Sequence, residues 1–443
     1  MSIGFADDGV AALPELMFLR RHFSVAVGAH LLLILSALGG ESSAPTKRLA
    51  RLIEGRPTKI VCIGDSVTGV YYHTGGRRAY PEMLAIALQR QFPRSEVCVV
   101  NAGVSGTTAA DGLARLERDV LMHQPDLVTI MFGLNDMAAY STDKFRDNLA
   151  QLTQRCRGAG SEVFLCTPNA VEETKARPIV KLAEYVAVIR ALGNEHQVPV
   201  VDICQAFEEV RRNDAAEFSI LLSDPIHPNM DGHKLTAYVL AQAITGRGIS
   251  LADAPSPSPS LPHTLSILCS GKRVRLLAMP PLDSMLPAAV KKMIPTAEFD
   301  VTCWDVNGKS LAEIEADAER VREARPDLVG VAVPWMPRVG PELEFARTYG
   351  GILNRSLSFG KQEWDVLVVP PSVTCAAASA DQQRQDRLVR RLIRAQDLPV
   401  LEQPSDGGNS LDVVAAWLKG QLVLKESSEK AARIQVVNGG GSQ

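Results

Sequence analysis

The strongest constraint on the fold is a series of short, unbroken apolar runs between Lys59 and Arg247, most of them closing on small or polar residues. The first, Ile60-Val61-Cys62-Ile63, stops at Gly64-Asp65-Ser66. A run without polar alternation reads as a strand buried on both faces, as in a parallel sheet. Val97 to Val100, Leu127 to Phe132, Val163 to Cys166 and Val198 to Val201 repeat the pattern. Segments with helical spacing lie between them: Tyr80 to Phe92, the face Leu113, Leu116, Val120 and Leu121, Phe145 to Cys156, and Ile179 to Leu192. Strand–helix alternation of this kind implies a mainly parallel sheet covered by helices on both faces.

Length and composition set the remaining bounds. At 443 residues the chain is too long for one ordinary core, which favours two domains. It is 46% hydrophobic and 22% charged, a globular composition, and its formal charge of −3 gives no reason to expect nucleic acid as a partner. The eight cysteines show no C-x-x-C and no metal-ligand spacing. Cys62, Cys98, Cys166 and Cys204 sit in apolar runs and read as small buried hydrophobes.

Residues 1–44 read as a targeting segment. Arg20 and Arg21 precede an apolar stretch from Val25 to Leu38, which ends in Ser42-Ser43-Ala44. The stretch is shorter than the roughly 20 residues of a membrane span, so it describes a signal peptide, with an uncleaved anchor as the alternative. The expected location is therefore the periplasm or the exterior. A first α/β domain spans 56–249. Residues 250–262 alternate Pro and Ser and read as a linker. A second α/β domain spans 263–424, and the polar end, 425–443, reads as disordered.

Four short segments of the first domain carry chemistry in order: Gly64-Asp65-Ser66, Gly106, Gly133-Leu134-Asn135, and Asp224-Pro225-Ile226-His227. Acyl transfer needs a nucleophile, a base, a group that orients the base, and donors for the developing oxyanion. Ser66 supplies the nucleophile and His227 the base. Asp224, three residues before His227, lies within one turn of it. The backbone N–H groups of Ser66 and Gly106 and the side-chain amide of Asn135 are candidate oxyanion donors. In open α/β sheets such groups gather at the C-terminal ends of the strands.

These segments, with Asn101-Ala102-Gly103-Val104-Ser105-Gly106-Thr107 and Asp224 to Asn229, resemble the SGNH (GDSL-type) hydrolase family over about residues 58–245, in particular its bacterial thioesterase/lysophospholipase branch. The resemblance implies a flavodoxin-like three-layer sandwich and a serine esterase, thioesterase or lipase that uses no metal or other cofactor. The substrate expected is an O-acyl ester, whether a carbohydrate acetyl ester, a lysophospholipid or a thioester.

Other residues read more plainly. His233 is expected on the helix after His227 in a surface role. His73, Arg77 and Arg78 fall in the loop after Ser66, either solvated or in touch with substrate. Asp65 and Asp136 are expected to hold backbone. No Gly-x-Ser-x-Gly elbow occurs, and Asn307-Gly308-Lys309-Ser310 lacks the earlier glycine of a phosphate loop, Cys303 standing in its place.

The second half echoes the first. Pro326-Asp327-Leu328-Val329 parallels Pro125-Asp126-Leu127-Val128, and Leu398-Pro399-Val400-Leu401 parallels Val198-Pro199-Val200-Val201. The chemistry does not recur: Ala278-Met279-Pro280-Pro281 stands for Gly-Asp-Ser, Pro334-Trp335-Met336 for Gly-x-Asn, and no histidine follows His263. A degenerate SGNH-like domain with a binding or structural role is expected. Two functions follow: an exported esterase, or a non-catalytic binding protein that keeps the fold for recognition. Association with the membrane or cell envelope rests on the N-terminal segment alone, and the second domain's partner is unspecified.

Overall fold

The computed structural model describes residues 47–336, 341–360, 362–375, 379–402 and 410–439. The expected targeting segment, 1–44, lies outside the described residues.

The first lobe is built on five parallel strands, β1 (Thr58–Gly64), β2 (Val97–Gly103), β3 (Leu127–Met131), β4 (Glu162–Cys166) and β5 (Val200–Val201), in the order β2-β1-β3-β4-β5. This is the flavodoxin-like order. β3 is buried along its whole length, as its unbroken apolar run requires. β2 lies at the sheet edge, which explains why Cys98 is exposed while Cys62 and Cys166 are buried. The helices Tyr80–Gln91 and Met230–Thr245 pack together, while Thr142–Gly158 packs against Ile179–His196 in a separate group. These groups form the outer layers of an α/β sandwich.

The helix expected across Leu113 to Leu121 is broken into Ala109–Ala114, Leu116–Asp119 and a single 3-10 turn, Leu121–His123. Arg115 causes the break. Its backbone leaves helical geometry, at φ −102° and ψ 4°, and its buried guanidinium reaches the carbonyls of Ala102 (2.7 Å) and Gly64 (2.8 Å). It thereby ties the ends of β1 and β2, beside which the site is built.

The second lobe has its own parallel sheet: β6 (Val274–Ala278), β7 (Phe299–Cys303), β8 (Leu328–Val331) and β9 (Asp365–Val368), in the order β7-β6-β8-β9. The order repeats the first four positions of the first sheet. One contact repeats atom for atom: Asp126 Oδ2 accepts from Lys59 N at 3.0 Å, and Asp327 Oδ2 from Arg275 N at 2.8 Å. Leu398 to Leu401 forms no fifth strand; the Leu398 carbonyl instead accepts from Ser256 Oγ at 3.2 Å. Leu276, Leu286, Val329, Tyr349, Ile352, Leu367 and Ile393 lie in this lobe's core, and Ile220 of the first lobe joins the same cluster.

The Pro/Ser segment, expected as a linker, is held by side chains of the first lobe. Arg77 Nη1 donates to the carbonyls of Pro257 (3.0 Å) and Pro259 (2.7 Å), Arg78 Nη2 donates to that of Pro255 (2.7 Å), and Leu251 and Leu261 are buried. Its many carbonyls attract arginines that a reading by composition treats as solvated. Residues 425–439 of the polar end belong to the helix Ser410–Gly439, and 440–443 lie outside the described residues. The local run Glu426 to Arg433 contains alanine, lysine and glutamate, which favour helix. No helix among the described residues is long and apolar enough to cross a membrane.

Candidate active site

Order in the first sheet reverses beside β1: β2 lies on one side and β3 on the other. Ser66 follows β1 at this switch point, where open α/β sheets leave a crevice. Gly64 lets the chain turn there. A Cβ on it would stand 2.0 Å from Thr68 Oγ1 and 2.6 Å from the Met131 carbonyl oxygen. The Asp65 side chain closes the turn by accepting from Val67 N at 2.9 Å. Burial pushes that carboxyl up to about 6, against the amide bond that lowers it.

Ser66 Oγ lies 2.9 Å from His227 Nε2, and His227 Nδ1 lies 2.8 Å from Asp224 Oδ2. The other Asp224 oxygen accepts the backbone N–H groups of Ile226 (2.9 Å) and His227 (2.8 Å). Burial alone would raise the Asp224 carboxyl; the bond from His227 and these amides outweigh it and hold the group well below the ordinary carboxylate range. Asp224 therefore stays charged, suited to orient the ring and to stabilise an imidazolium. The loop is pinned at both ends, Ser223 N donating to the His227 carbonyl at 2.8 Å and Asn229 N to that of Leu221 at 2.9 Å.

The candidate oxyanion donors come from neighbouring strand ends. Gly106 has φ +75°, a left-handed conformation that favours glycine. Neither its N–H nor that of Ser66 has an acceptor among the described residues. Asn135 Nδ2 donates to the Thr107 carbonyl at 3.0 Å, which leaves its second hydrogen free. Arg177 Nη2 donates to Asn135 Oδ1 at 3.1 Å, so the amide is oriented from its other side. Asp136 Oδ1 accepts from Ala109 N at 2.9 Å, and so holds backbone.

The structure thus brings Ser66, Asp224 and His227 into one hydrogen-bonded chain. It also shows residues that sequence reasoning missed or misread. His73 is fully buried and stacks on His227, with ring centroids 4.7 Å apart. His233 is also fully buried; its Nδ1 accepts from Tyr80 N at 3.1 Å, and its ring stacks on His73 at 5.8 Å. Both rings are held toward the neutral form. His73 is pushed well down by burial and by the neighbouring His227 and His233, and His233 is pushed down to about 3 by burial and His227. Arg77 and Arg78 do not face the serine; they grip the Pro/Ser segment and, through Arg78, Asp397. The one available hint was the run Tyr71-Tyr72-His73 in a chain only 5% aromatic. Groups of histidine, cysteine, aspartate or glutamate able to hold a metal ion are absent among the described residues.

A model of the GDSL-like lipase/acylhydrolase family matches residues 62–235. An acetylxylan esterase of Geobacillus stearothermophilus is 28% identical over 212 residues, covering 43% of this chain and 95% of its own. Thioesterase 1/protease 1/lysophospholipase L1 of Escherichia coli is 27% identical over 186 residues, 42% of this chain and 82% of its own. An arylesterase of Vibrio mimicus is 31% identical over 108 residues, 24% of this chain and 52% of its own. The α/β fold, the serine at the switch point and this match together make the first lobe an SGNH, or GDSL-type, hydrolase domain, and the chain an ester hydrolase.

Proposed function

We propose that the chain cleaves O-acyl esters through an acyl-enzyme on Ser66. His227 takes the Ser66 proton as the oxygen attacks the ester carbonyl, then gives it to the departing alcohol. Asp224 fixes the ring and balances its charge. The N–H groups of Ser66 and Gly106 and the Asn135 amide receive the oxyanion. Water, activated by His227 in its turn, releases the acid and restores the serine. The observation that carries this reading is the 2.9 Å approach of Ser66 Oγ to His227 Nε2, with Asp224 2.8 Å behind the ring.

Acetyl esters of carbohydrates are the substrates to try first, because the acetylxylan esterase aligns over 95% of its own length. Lysophospholipid and thioester substrates are the other members of the class. Labelling by a fluorophosphonate probe, lost in Ser66→Ala, together with hydrolysis of an ester panel graded by acyl length, tests the reading. A chain that takes no label and cleaves no ester overturns it in favour of a binding protein. The second lobe, which repeats the strand order without a serine–histidine pair among its described residues, is read as a duplicated copy that has lost its chemistry. Export, and any membrane association through residues 1–44, completes the reading; fractionating cells that express the full chain tests it.

A further inference from the structure

We propose that the second lobe is a working part of the catalytic apparatus, acting through Tyr72, a positioning residue that it holds against the carboxylate of Asp224. The proposal rests on the reading of Asp224 and His227 given above. Tyr72 belongs to the loop after Ser66, and its hydroxyl donates to Asp224 Oδ2 at 3.1 Å. That oxygen is also the one facing His227 Nδ1. The Tyr72 ring is clamped from the second lobe. Phe359 stacks on it at 5.4 Å and 9° from parallel, and the Arg322 guanidinium lies 5.0 Å from its centre and 5.2 Å from that of Phe359.

The clamp is itself fastened to the loop that carries the acid and the base. Arg322 Nη2 donates to the Asn354 carbonyl at 3.2 Å, and Asn354 Nδ2 donates to Ser223 Oγ at 2.6 Å. Ser223 Oγ also donates to Gln396 Oε1 at 3.3 Å, while its backbone N–H holds the His227 carbonyl. Further out, Arg391 pairs with Glu217 and Arg347 with Glu172, each across the two lobes. A cavity of about 320 Å³, lined by Tyr72, Asp224, Arg322 and Arg355 among others, lies between the lobes. The lobes therefore meet partly around a gap, with Tyr72 and Ile220 of the first lobe packed against the second lobe's core beside it.

A hydroxyl donating to Asp224 Oδ2 shares the charge that the imidazolium would otherwise use alone. Burial and the Asp224 charge push the Tyr72 hydroxyl up, so it stays protonated and donates. The titratable and charged groups facing the pair are Tyr72, His73 and Asp65 near the serine, His233 behind His73, and Arg322 from the second lobe. Without the hydroxyl, Asp224 favours the protonated ring more strongly. The acid limb of activity then moves to higher pH.

The experiment uses the full chain and a chromogenic acetyl ester. Tyr72→Phe is expected to lower kcat about tenfold, change KM less than twofold, and move the acid limb of kcat/KM up by about half a pH unit. Phe359→Ala, at a residue 61% exposed and outside the core, is expected to reproduce part of both effects, and Phe359→Tyr to restore them. A merely structural residue would lower the folded fraction without moving the limb. Native kcat and an unmoved limb in Tyr72→Phe overturn the positioning role. An effect of Tyr72→Phe with none from Phe359→Ala or Arg322→Ala overturns the part assigned to the second lobe. Fluorophosphonate labelling of Ser66 in the same preparations keeps the readings apart, since it tests the nucleophile independently of Tyr72.

Discussion

The imidazole rings of His73 and His227 stack 4.7 Å apart and 8° from parallel, and His73 is completely buried. Neither ring nitrogen of His73 makes a hydrogen bond of ordinary geometry among the described residues, although the Ser66 backbone lies close enough to interact with the ring. Its contribution to the site is therefore the flat face it offers, held neutral so that it does not repel an imidazolium on His227. His73→Ala is expected to lower kcat about tenfold by freeing the ring, with KM little changed, whereas His73→Phe, which keeps a flat face, retains most of the turnover. Steady-state kinetics on one ester checks both. Equal losses in the two variants would refute the stacking role.

Ser66→Ala is expected to cost at least about 10³ in kcat, because the nucleophile and its base act as one unit. The thermal midpoint should change little, since Ser66 contributes a hydroxyl at the surface of the crevice. Near-native turnover by the alanine variant would sink the acyl-enzyme mechanism.

Asn135→Ala is expected to lower kcat by about 10²–10³, the usual loss for one oxyanion donor, with a smaller change in KM. Arg177 supports that amide through the 3.1 Å bond to Asn135 Oδ1. Arg177→Ala should therefore lower kcat in the same direction by about tenfold, and add little in the double variant. Full additivity in the double-mutant cycle would show that Arg177 acts elsewhere.

Stability should depend on pH through His233. Its folded value is about 3, below the ordinary 6.5, so in this window the unfolded chain binds the proton and the folded chain does not. Stability from this group is present above pH 6.5 and lost as pH falls toward 3. The stability difference between the native chain and His233→Gln should therefore shrink by about 2–3 kcal/mol between pH 7 and pH 4.5. Taking the difference removes the opposite contributions of Asp65 and Asp136, both pushed up to about 6 by burial, which lose stability as pH rises. Denaturant unfolding of both chains at each pH measures it; a constant difference would contradict a buried, neutral His233.

Gly64→Ala is expected to destabilise the first lobe by about 1–3 kcal/mol, because the added carbon collides with the Met131 carbonyl, which belongs to the paired sheet and cannot move aside. Thr68 could rotate; the backbone oxygen could not. An unchanged unfolding midpoint would show that the turn relaxes.

The sheet of the first lobe and the candidate set Ser66, Asn135, Asp224 and His227, which the fold gathers at one sheet edge, were legible from residues alone, for a physical reason. Strands buried on both faces must be continuously apolar, and the tight turn before Ser66 needs glycine at Gly64, so both leave local marks in the chain. His233 and Arg115 left no such mark, and His73 only the aromatic run around it, because a histidine or arginine in a loop or helix is written the same way whether it ends in water or in a core. Their burial follows from what three separate segments bring around them. The same holds between the lobes. Proline and serine spacing suggested a linker, yet Arg77 and Arg78 capture that segment, and Phe359 meets Tyr72 from 287 positions further along the chain. Local periodicity set the elements and the order of the chemical groups; only the docking of one lobe on the other, through side chains far apart in the chain, decided what stands behind Asp224.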